Sequence, residues 1–217
     1  MKNLLFLVLL CPAFGISQVK ASLTSDRLIA KKEKDREPEK PLPSPQDNYV
    51  LSKQQITIDG TSNLHNWHQK VEKVSGKGLV KQGLDKSLSI ETLNIMIEVN
   101  SIKGDGSVMD KKAYKALKAD QFPDISFVMT DPVVNIPYGI KAFSTTAKGQ
   151  LTIAGKTKMI IMPVKITVSD DKKILVSGIQ KIKMTEYGVD PPTAMFGMLK
   201  TGDTVTINFE TTFSSIK

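Results

Sequence analysis

The chain has 217 residues, of which 40% are hydrophobic and 24% are charged. These values are ordinary for a globular protein. They exclude the fibrous and fully disordered classes, and the length suits one sizeable core with tails. The 30 basic and 22 acidic residues leave a net charge of +8, which permits attraction to anionic surfaces without identifying one. One cysteine and two histidines exclude a multi-thiolate zinc site.

Residues 1–17 have the pattern of an export signal. A short basic start is followed by the apolar run Leu4–Leu10, which is too short to span a membrane, and then by the small residues Gly15 and Ser17. We expect cleavage after Ser17, which also removes Cys11. A lipid anchor on Cys11 is the alternative, but the residue before it is large and the cysteine comes too early. A mature chain without cysteine suits an oxidising compartment, so the sequence predicts a periplasmic or secreted protein.

Residues 18–48 form a predicted linker. Oppositely charged residues nearly balance between 31 and 37, four prolines follow between 38 and 45, and apolar side chains are almost absent. Such a segment cannot offset the entropy of ordering itself. A folded arm is the alternative, and the domain proper is predicted at 49–217.

That domain is predicted to be antiparallel sheet. Three stretches alternate apolar and polar residues with the period of two of a half-buried strand, namely Leu93–Val99, Ile160–Val168 and Val205–Phe213. Weaker strand candidates are Gln55–Asp59, Gln69–Val80, Ser126–Val134, Ala142–Ile153 and Ile174–Met184. About eight strands joined by short turns, including a hairpin at Ala154–Lys156, predict an up-and-down barrel, because closure removes exposed edges.

Two segments interrupt the strand pattern. A short amphipathic helix is predicted over Val108–Ala119, with a capping box from Ser107 to Asp110 and a stop at Pro123. The other segment, Thr193–Leu199, is apolar where a solvated loop is usually polar. It can pack against the end of the barrel or serve as a flexible lid.

Several motifs resemble those of the YceI-like proteins in order and spacing over about residues 50–215. They are Ile58–Trp67, Asp120–Phe127, Lys148–Lys158, Glu186–Val189 and the final strand from Asp203 to Phe209. The resemblance implies an all-β protein: an exported, lipocalin-like, eight-stranded antiparallel barrel with one short helix. It also implies that the interior holds an isoprenoid or another amphiphilic chain.

Alternation and resemblance together predict the residues that line this interior. The inward set is Ile95, Ile97, Phe127, Met129, Ile207 and Phe209, and the set nearer the openings is His65, Trp67, Leu117 and Phe196. Each methylene of the lipid that is buried in the interior would stabilise the complex by about 0.8 kcal/mol. An eight-stranded barrel can also fill itself with side chains, so an exported stress or interaction protein with a solid barrel is the alternative.

Catalysis has no support in the sequence. The Gly-x-Ser-x-Gly elbow, the P-loop and the dinucleotide-binding glycine pattern are all absent, and His65 and His68 have no third histidine or cysteine to complete a metal site. We therefore predict a carrier rather than an enzyme, with an isomerase or hydrolase of the bound lipid as the least favoured alternative. No cofactor or nucleic acid is expected. The helix lysines permit contact with an anionic membrane, and a dimer is left open.

Overall fold

The computed structural model describes residues 46–83 and 85–216, so the predicted signal peptide and nearly all of the predicted linker lie outside the described residues. The strands are β1 Gln46–Ser62, β2 Asn66–Val71, β3 Val74–Gln82, β4 Leu88–Glu98, β5 Ile102–Lys103, β6 Asp124–Met129, β7 Val133–Ile136, β8 Gly139–Ile153, β9 Lys156–Val168, β10 Ile174–Lys183, β11 Thr193–Ala194 and β12 Leu199–Ile216. The helix α1 is Ser107–Ala116, and 3₁₀ turns occupy Val99–Ser101, Met184–Tyr187 and Met195–Gly197.

Within the described residues, eight antiparallel strands form a closed barrel. Their order is β1, β3, β4, β6, β8, β9, β10 and β12, and β12 pairs back onto β1. The closing seam is long, running from the Asn48–Ile216 pair to the Ser62–Thr201 pair. Closure satisfies the backbone groups that would otherwise form two exposed edges. The predicted fold class is therefore confirmed.

The strands β2 and β3 continue one another along β1. Their register against β1 is the same, and the interruption falls at Glu72 and Lys73. There the Glu72 N–H donates to the Ser101 carbonyl and the Lys73 N–H to the Ser101 hydroxyl, each at 3.0 Å. The short strand β5 then pairs with the end of β2. These bonds fix the start of the connection that carries α1.

Side chains fill only one end of the barrel. On β9 the inward residues Val164, Ile166 and Val168 are buried, whereas Ile160 and Met162 are half-buried. The same gradient runs along β10 and β12, where burial is greatest at Ile174 and Phe213. The Tyr49 hydroxyl closes this end by donating to the Lys172 carbonyl at 3.1 Å. We call it the filled end and the opposite end the open end.

The open end coincides with an incomplete seam in the wall. Pairing of β9 with β10 stops at Val164–Gly178, although β10 stays paired with β12 as far as Lys183. The next residue of β9 is Pro163, which has no N–H to donate to a ladder. Among the described residues, the wall between β9 and β10 is thus unpaired beside the open end.

The predicted hairpin is confirmed. Ile153 pairs with Lys156, leaving Ala154 and Gly155 as a two-residue turn with φ of 47° and 76°. Positive φ at both turn residues is the geometry of a type I′ turn, which matches the twist of the two strands that it joins. Glycine adopts positive φ most easily. The Phe122 ring lies against this turn, since a Cβ on Gly155 would come within 2.5 Å of it. Two of the motifs named above therefore meet in the fold.

The helix differs from its prediction at both ends. Gly106, not Ser107, is the N-cap residue, and it makes no side-chain capping bond. Instead, Asp110 reaches back to accept a hydrogen bond from the Gly104 N–H at 2.7 Å. At the other end α1 stops at Ala116, and Lys118 turns the chain with a φ of 55°, well before Pro123. Within the described residues, no helix is long and apolar enough to span a membrane.

Candidate functional site

A cavity of about 440 Å³ occupies the open end of the barrel. Its walls are mainly aliphatic, and the inward side chains that form them are Ile58, Ile125, Ile153, Ile182, Val205 and Ile207. Five strands contribute these residues. The cavity is thus the unfilled continuation of the barrel interior, lined by the same face that is packed solid at the filled end.

One face of α1 covers the cavity. Met109, Lys112, Ala113, Ala116 and Leu117 all line it, with the three- and four-residue spacing of a single helical face. Two bonds attach the helix segment to the opposite side of the opening. Lys112 Nζ donates to the Thr193 carbonyl at 3.2 Å, and Lys118 Nζ donates to the Gly188 carbonyl at 3.3 Å. The small alanines leave space beneath the helix.

The segment after β10 forms another part of the lining, to which Met184 and Tyr187 contribute. The Asp203 carboxylate accepts from the Thr185 N–H at 2.9 Å and from its hydroxyl at 2.8 Å. Glu186 accepts from Lys158 at 2.7 Å. The Glu186–Val189 motif is therefore held in place by two carboxylates.

Both carboxylates have lowered pKa values. The hydrogen bond from Lys158 lowers the pKa of Glu186, and the backbone N–H of Thr185 lowers that of Asp203. Because these pKa values are lower in the folded state, the stabilisation is present at neutral pH. It is lost as the pH falls through the folded-state pKa values. Both groups are solvent-exposed, so screening keeps the contribution small.

Trp67 forms part of the rim. It is paired with Gly60, and a Cβ on Gly60 would come within 2.0 Å of the indole ring, so the glycine provides the space that the ring occupies. The indole N–H donates to the Thr61 carbonyl at 3.1 Å. Since Trp67 is the only tryptophan of the chain, its fluorescence is a direct probe of the cavity rim.

The two histidines also lie at the rim, where both are exposed. His68 Nδ1 is 2.6 Å from Asp59 Oδ1, and Asn208 donates to the other oxygen of the same carboxylate at 2.6 Å. His65 Nδ1 is 2.8 Å from the Asn66 carbonyl. Among the described residues, no group of three or more His, Cys, Asp and Glu side chains is arranged to hold a metal ion.

The structure separates the residues predicted to line the interior. His65, Trp67, Leu117 and Ile207 line the cavity. The others do not line the cavity. Phe127, Met129, Ile95 and Phe209 pack in or against the main buried cluster of the barrel. Ile97 packs on a smaller cluster around Ile56, Val71 and Ile102, and Phe196 is fully exposed. A role in ligand binding stays a prediction for all ten.

Sequence reasoning missed Gln69 and Tyr187. Gln69 follows Trp67 by two residues on β2, so alternation alone places it on the inward face. Tyr187 belongs to a quoted motif, but it sits in a 3₁₀ turn, where no strand period indicates its direction. It is nevertheless buried and faces the cavity.

A second depression, of about 530 Å³, crosses the outer wall over β1, β8, β9, β10 and β12. It is shallower and is lined by outward residues such as Thr57, Ser177 and Glu210. Although its volume is larger, it lies outside the barrel and offers little enclosed apolar surface. The internal cavity is the better candidate site.

The fold and the cavity together define an up-and-down β-barrel that is packed at one end and hollow at the other. The YceI-like domain model matches residues 49–213, and the chain belongs to this family. No curated protein sequence matches it.

Three solved structures illustrate the same fold. A polyisoprenoid-binding domain from Saccharophagus degradans, implicated in plant cell wall breakdown, is 10% identical with a TM-score of 0.61, over 77% of this chain and 98% of that one. BcnA from Burkholderia cenocepacia is 18% identical with a TM-score of 0.56, over 75% and 97%. The YceI protein of Campylobacter jejuni is 21% identical with a TM-score of 0.50, over 69% and 84%. At these identities the similarity establishes the fold.

Proposed function

We propose that this protein is an exported carrier that holds an isoprenoid or another long-chain lipid in the open end of its barrel. The observation that carries the proposal is the apolar cavity of about 440 Å³. Its volume lies within the range of roughly 300–1,000 Å³ typical of small-molecule sites. Each methylene moved from water into it stabilises the complex by about 0.8 kcal/mol. The polyisoprenoid-binding domain of the same fold supports this ligand class.

The carrier acts in the periplasm or outside the cell. The pattern of residues 1–17 supports export, and the charged, proline-rich composition of the residues between 18 and the start of β1 supports a linker ahead of the barrel. We propose no catalytic step, because the cavity walls are mainly aliphatic and its two histidines are exposed at the rim.

Organic extraction of the purified protein, followed by mass spectrometry, tests the carrier proposal. We expect a co-purified lipid in near-stoichiometric amount, and uptake of a fluorescent geranylgeranyl probe by the delipidated protein with a change in Trp67 emission. Bovine serum albumin, which binds lipids, is the positive control for probe uptake, and a denatured sample of the protein is the negative control. An empty extract together with no uptake would refute the proposal.

That negative result would favour the alternative function, an exported stress or interaction protein without a lipid ligand. The filled end supports this alternative, because Ile136 and Val168 are completely buried there and their neighbours are closely packed. The open end does not share this packing, so the carrier remains our proposal.

We further propose that the open end contacts an anionic membrane. Four large apolar side chains project into solvent from segments around the rim: Leu64, Val108, Phe196 and Met198. Bonds between Asn63 and Met198 and between Lys112 and Thr193 hold these segments together. Lys111, Lys112, Lys115 and Lys200 add positive charge beside them. Apolar tips surrounded by lysine suit the interface of a bilayer rich in acidic lipid.

Vesicle co-sedimentation tests the membrane contact. Replacing two apolar side chains by serine removes several kcal/mol of burial, so Phe196→Ser/Met198→Ser should weaken binding to phosphatidylglycerol-rich vesicles by at least about tenfold. The matched control is Ile161→Ser/Ile179→Ser, because these residues are exposed on the outer wall away from the rim. Equal losses in the two double variants would contradict the contact.

A further inference from the structure

Gln69 is a buried polar side chain within the apolar cavity. It lies on the inward face of β2, between Trp67 at the rim and the buried Val71. Only 8% of its surface is exposed, and it lines the cavity. His65 and Asp105, by contrast, are exposed at the rim. Among the described residues that line the cavity, Gln69 and Tyr187 are the buried side chains that carry a polar atom, and of the two only Gln69 carries an amide.

Its carboxamide has no partner within the described part of the chain. None of the side-chain hydrogen bonds found there involves Gln69, and its amide atoms are not sealed into the protein as Gln54 Oε1 is. An apolar ligand that covered this amide without replacing its hydrogen bonds would lose about 1–3 kcal/mol. Such a group in a binding cavity is a ready donor and acceptor for the polar end of a ligand.

The described residues around Gln69 offer no surplus positive charge for an anionic partner. Gly104 lies between Gln69 and the buried Asp110, since a Cβ on this glycine would be 3.2 Å from Gln69 Cγ and 3.5 Å from Asp110 Oδ1. Lys103 is the nearby cation, but its Nζ is 4.0 Å from Asp110 and donates to the Tyr114 hydroxyl. At the rim, the Asp105 carboxylate is offset by the ammonium group of Lys112, which donates to the Thr193 carbonyl. The charges near Gln69 thus nearly cancel, and a neutral oxygen, unlike a phosphate, needs no surplus cation beside it.

We infer that Gln69 binds the neutral polar head of the ligand, a hydroxyl or a carbonyl, and thereby selects neutral amphiphiles over bare hydrocarbons and over prenyl phosphates. This inference rests on the proposed function, because it places the head of the carried chain just below the rim. The amide N–H donates to a carbonyl or hydroxyl oxygen, and the amide oxygen accepts from a hydroxyl. The chain then lies along the apolar walls.

The test compares three probes on the full chain: geranylgeraniol, the corresponding hydrocarbon without the hydroxyl, and geranylgeranyl phosphate. In Gln69→Leu the affinity for the alcohol should fall by about tenfold, while that for the hydrocarbon stays unchanged or rises. Gln55→Leu is the matched control, since Gln55 is exposed on the outer face of β1. Thermal unfolding should show Gln69→Leu at least as stable as wild type, because leucine has a similar size and suits the mainly aliphatic cavity wall.

Different outcomes of this test distinguish the role of Gln69 from the carrier function as a whole. Equal loss of alcohol and hydrocarbon in Gln69→Leu would overturn the role of the amide while leaving a lipid carrier intact. Tightest binding of the phosphate in the wild type, abolished by Lys112→Met, would assign the head to the lysine instead. Failure of all three probes to bind wild type would overturn the carrier and, with it, this inference.

Discussion

Placing a tryptophan at position 113 is expected to reduce binding of a geranylgeranyl probe by more than about a hundredfold, since displacing four methylenes removes about 3 kcal/mol. Ala113 lies in the middle of the cavity-lining face of α1 and is half-buried. Its neighbours on that face are already in contact with the cavity, so an indole at this position has to enter the space of the ligand. Retention of the probe during gel filtration, with bound lipid measured by mass spectrometry, provides the readout.

Two further variants make this result specific. Ala142→Trp introduces the same ring at an exposed position of β8 and should leave binding unchanged. Ile207→Trp fills the cavity from the barrel wall instead of from the helix, so it should reproduce the loss even if α1 can tilt away. Full retention of the probe by both Ala113→Trp and Ile207→Trp would show that the chain binds elsewhere.

The largest loss of stability is expected from Phe127→Ala. This side chain is 8% exposed, and its ring covers Gly149 on β8, where a Cβ would come within 2.5 Å of a ring carbon. Removing the ring leaves a void that glycine cannot fill, and such changes lower the free energy of unfolding by about 3–5 kcal/mol. Urea unfolding followed by Trp67 fluorescence measures the effect.

Binding should respond differently from stability in this variant. Phe127 is buried and does not line the cavity, so probe affinity per folded molecule should stay close to that of wild type. Ile207→Ala is the comparison, because Ile207 borders space that is already empty and its truncation should destabilise the barrel less. A hundredfold loss of affinity in Phe127→Ala, measured where the protein is folded, would contradict the division into a filled and an open end.

The barrel wall could be predicted from local pattern. In β9 and β12 the alternation of apolar and polar residues matches the inward and outward faces, and Ala154–Gly155 forms the expected turn. These features depend on the two-residue period of a strand and on the positive φ of two adjacent residues, both of which are local properties. The start of α1 is harder to predict from the sequence. Ser107 and Asp110 fit the pattern of a capping box, but the carboxylate of Asp110 accepts from the Gly104 N–H instead.

Phe196 illustrates another limit. An apolar loop was expected to be covered by the barrel end or to close over a ligand, yet the Phe196 side chain is fully exposed at a φ of 55°. A left-handed conformation costs a bulky residue about 1–3 kcal/mol and is held here by the surrounding loop. The hydrophobic pattern of the sequence does not predict the backbone conformation that turns this ring outward.

The amino-acid sequence by itself determined the strands, the closed barrel and the family, because strand periodicity and turn chemistry act between near neighbours. Only the tertiary structure decided which part of the barrel is empty. Phe209 and Ile207 alternate identically on β12, but Phe209 faces Gly178 across the ladder and its ring fills the space that the glycine leaves. Ile207 faces Gln180 instead and borders the cavity together with the small residues of α1. Whether space remains inside a barrel depends on the combined volume of residues distant in the chain, which no local pattern contains.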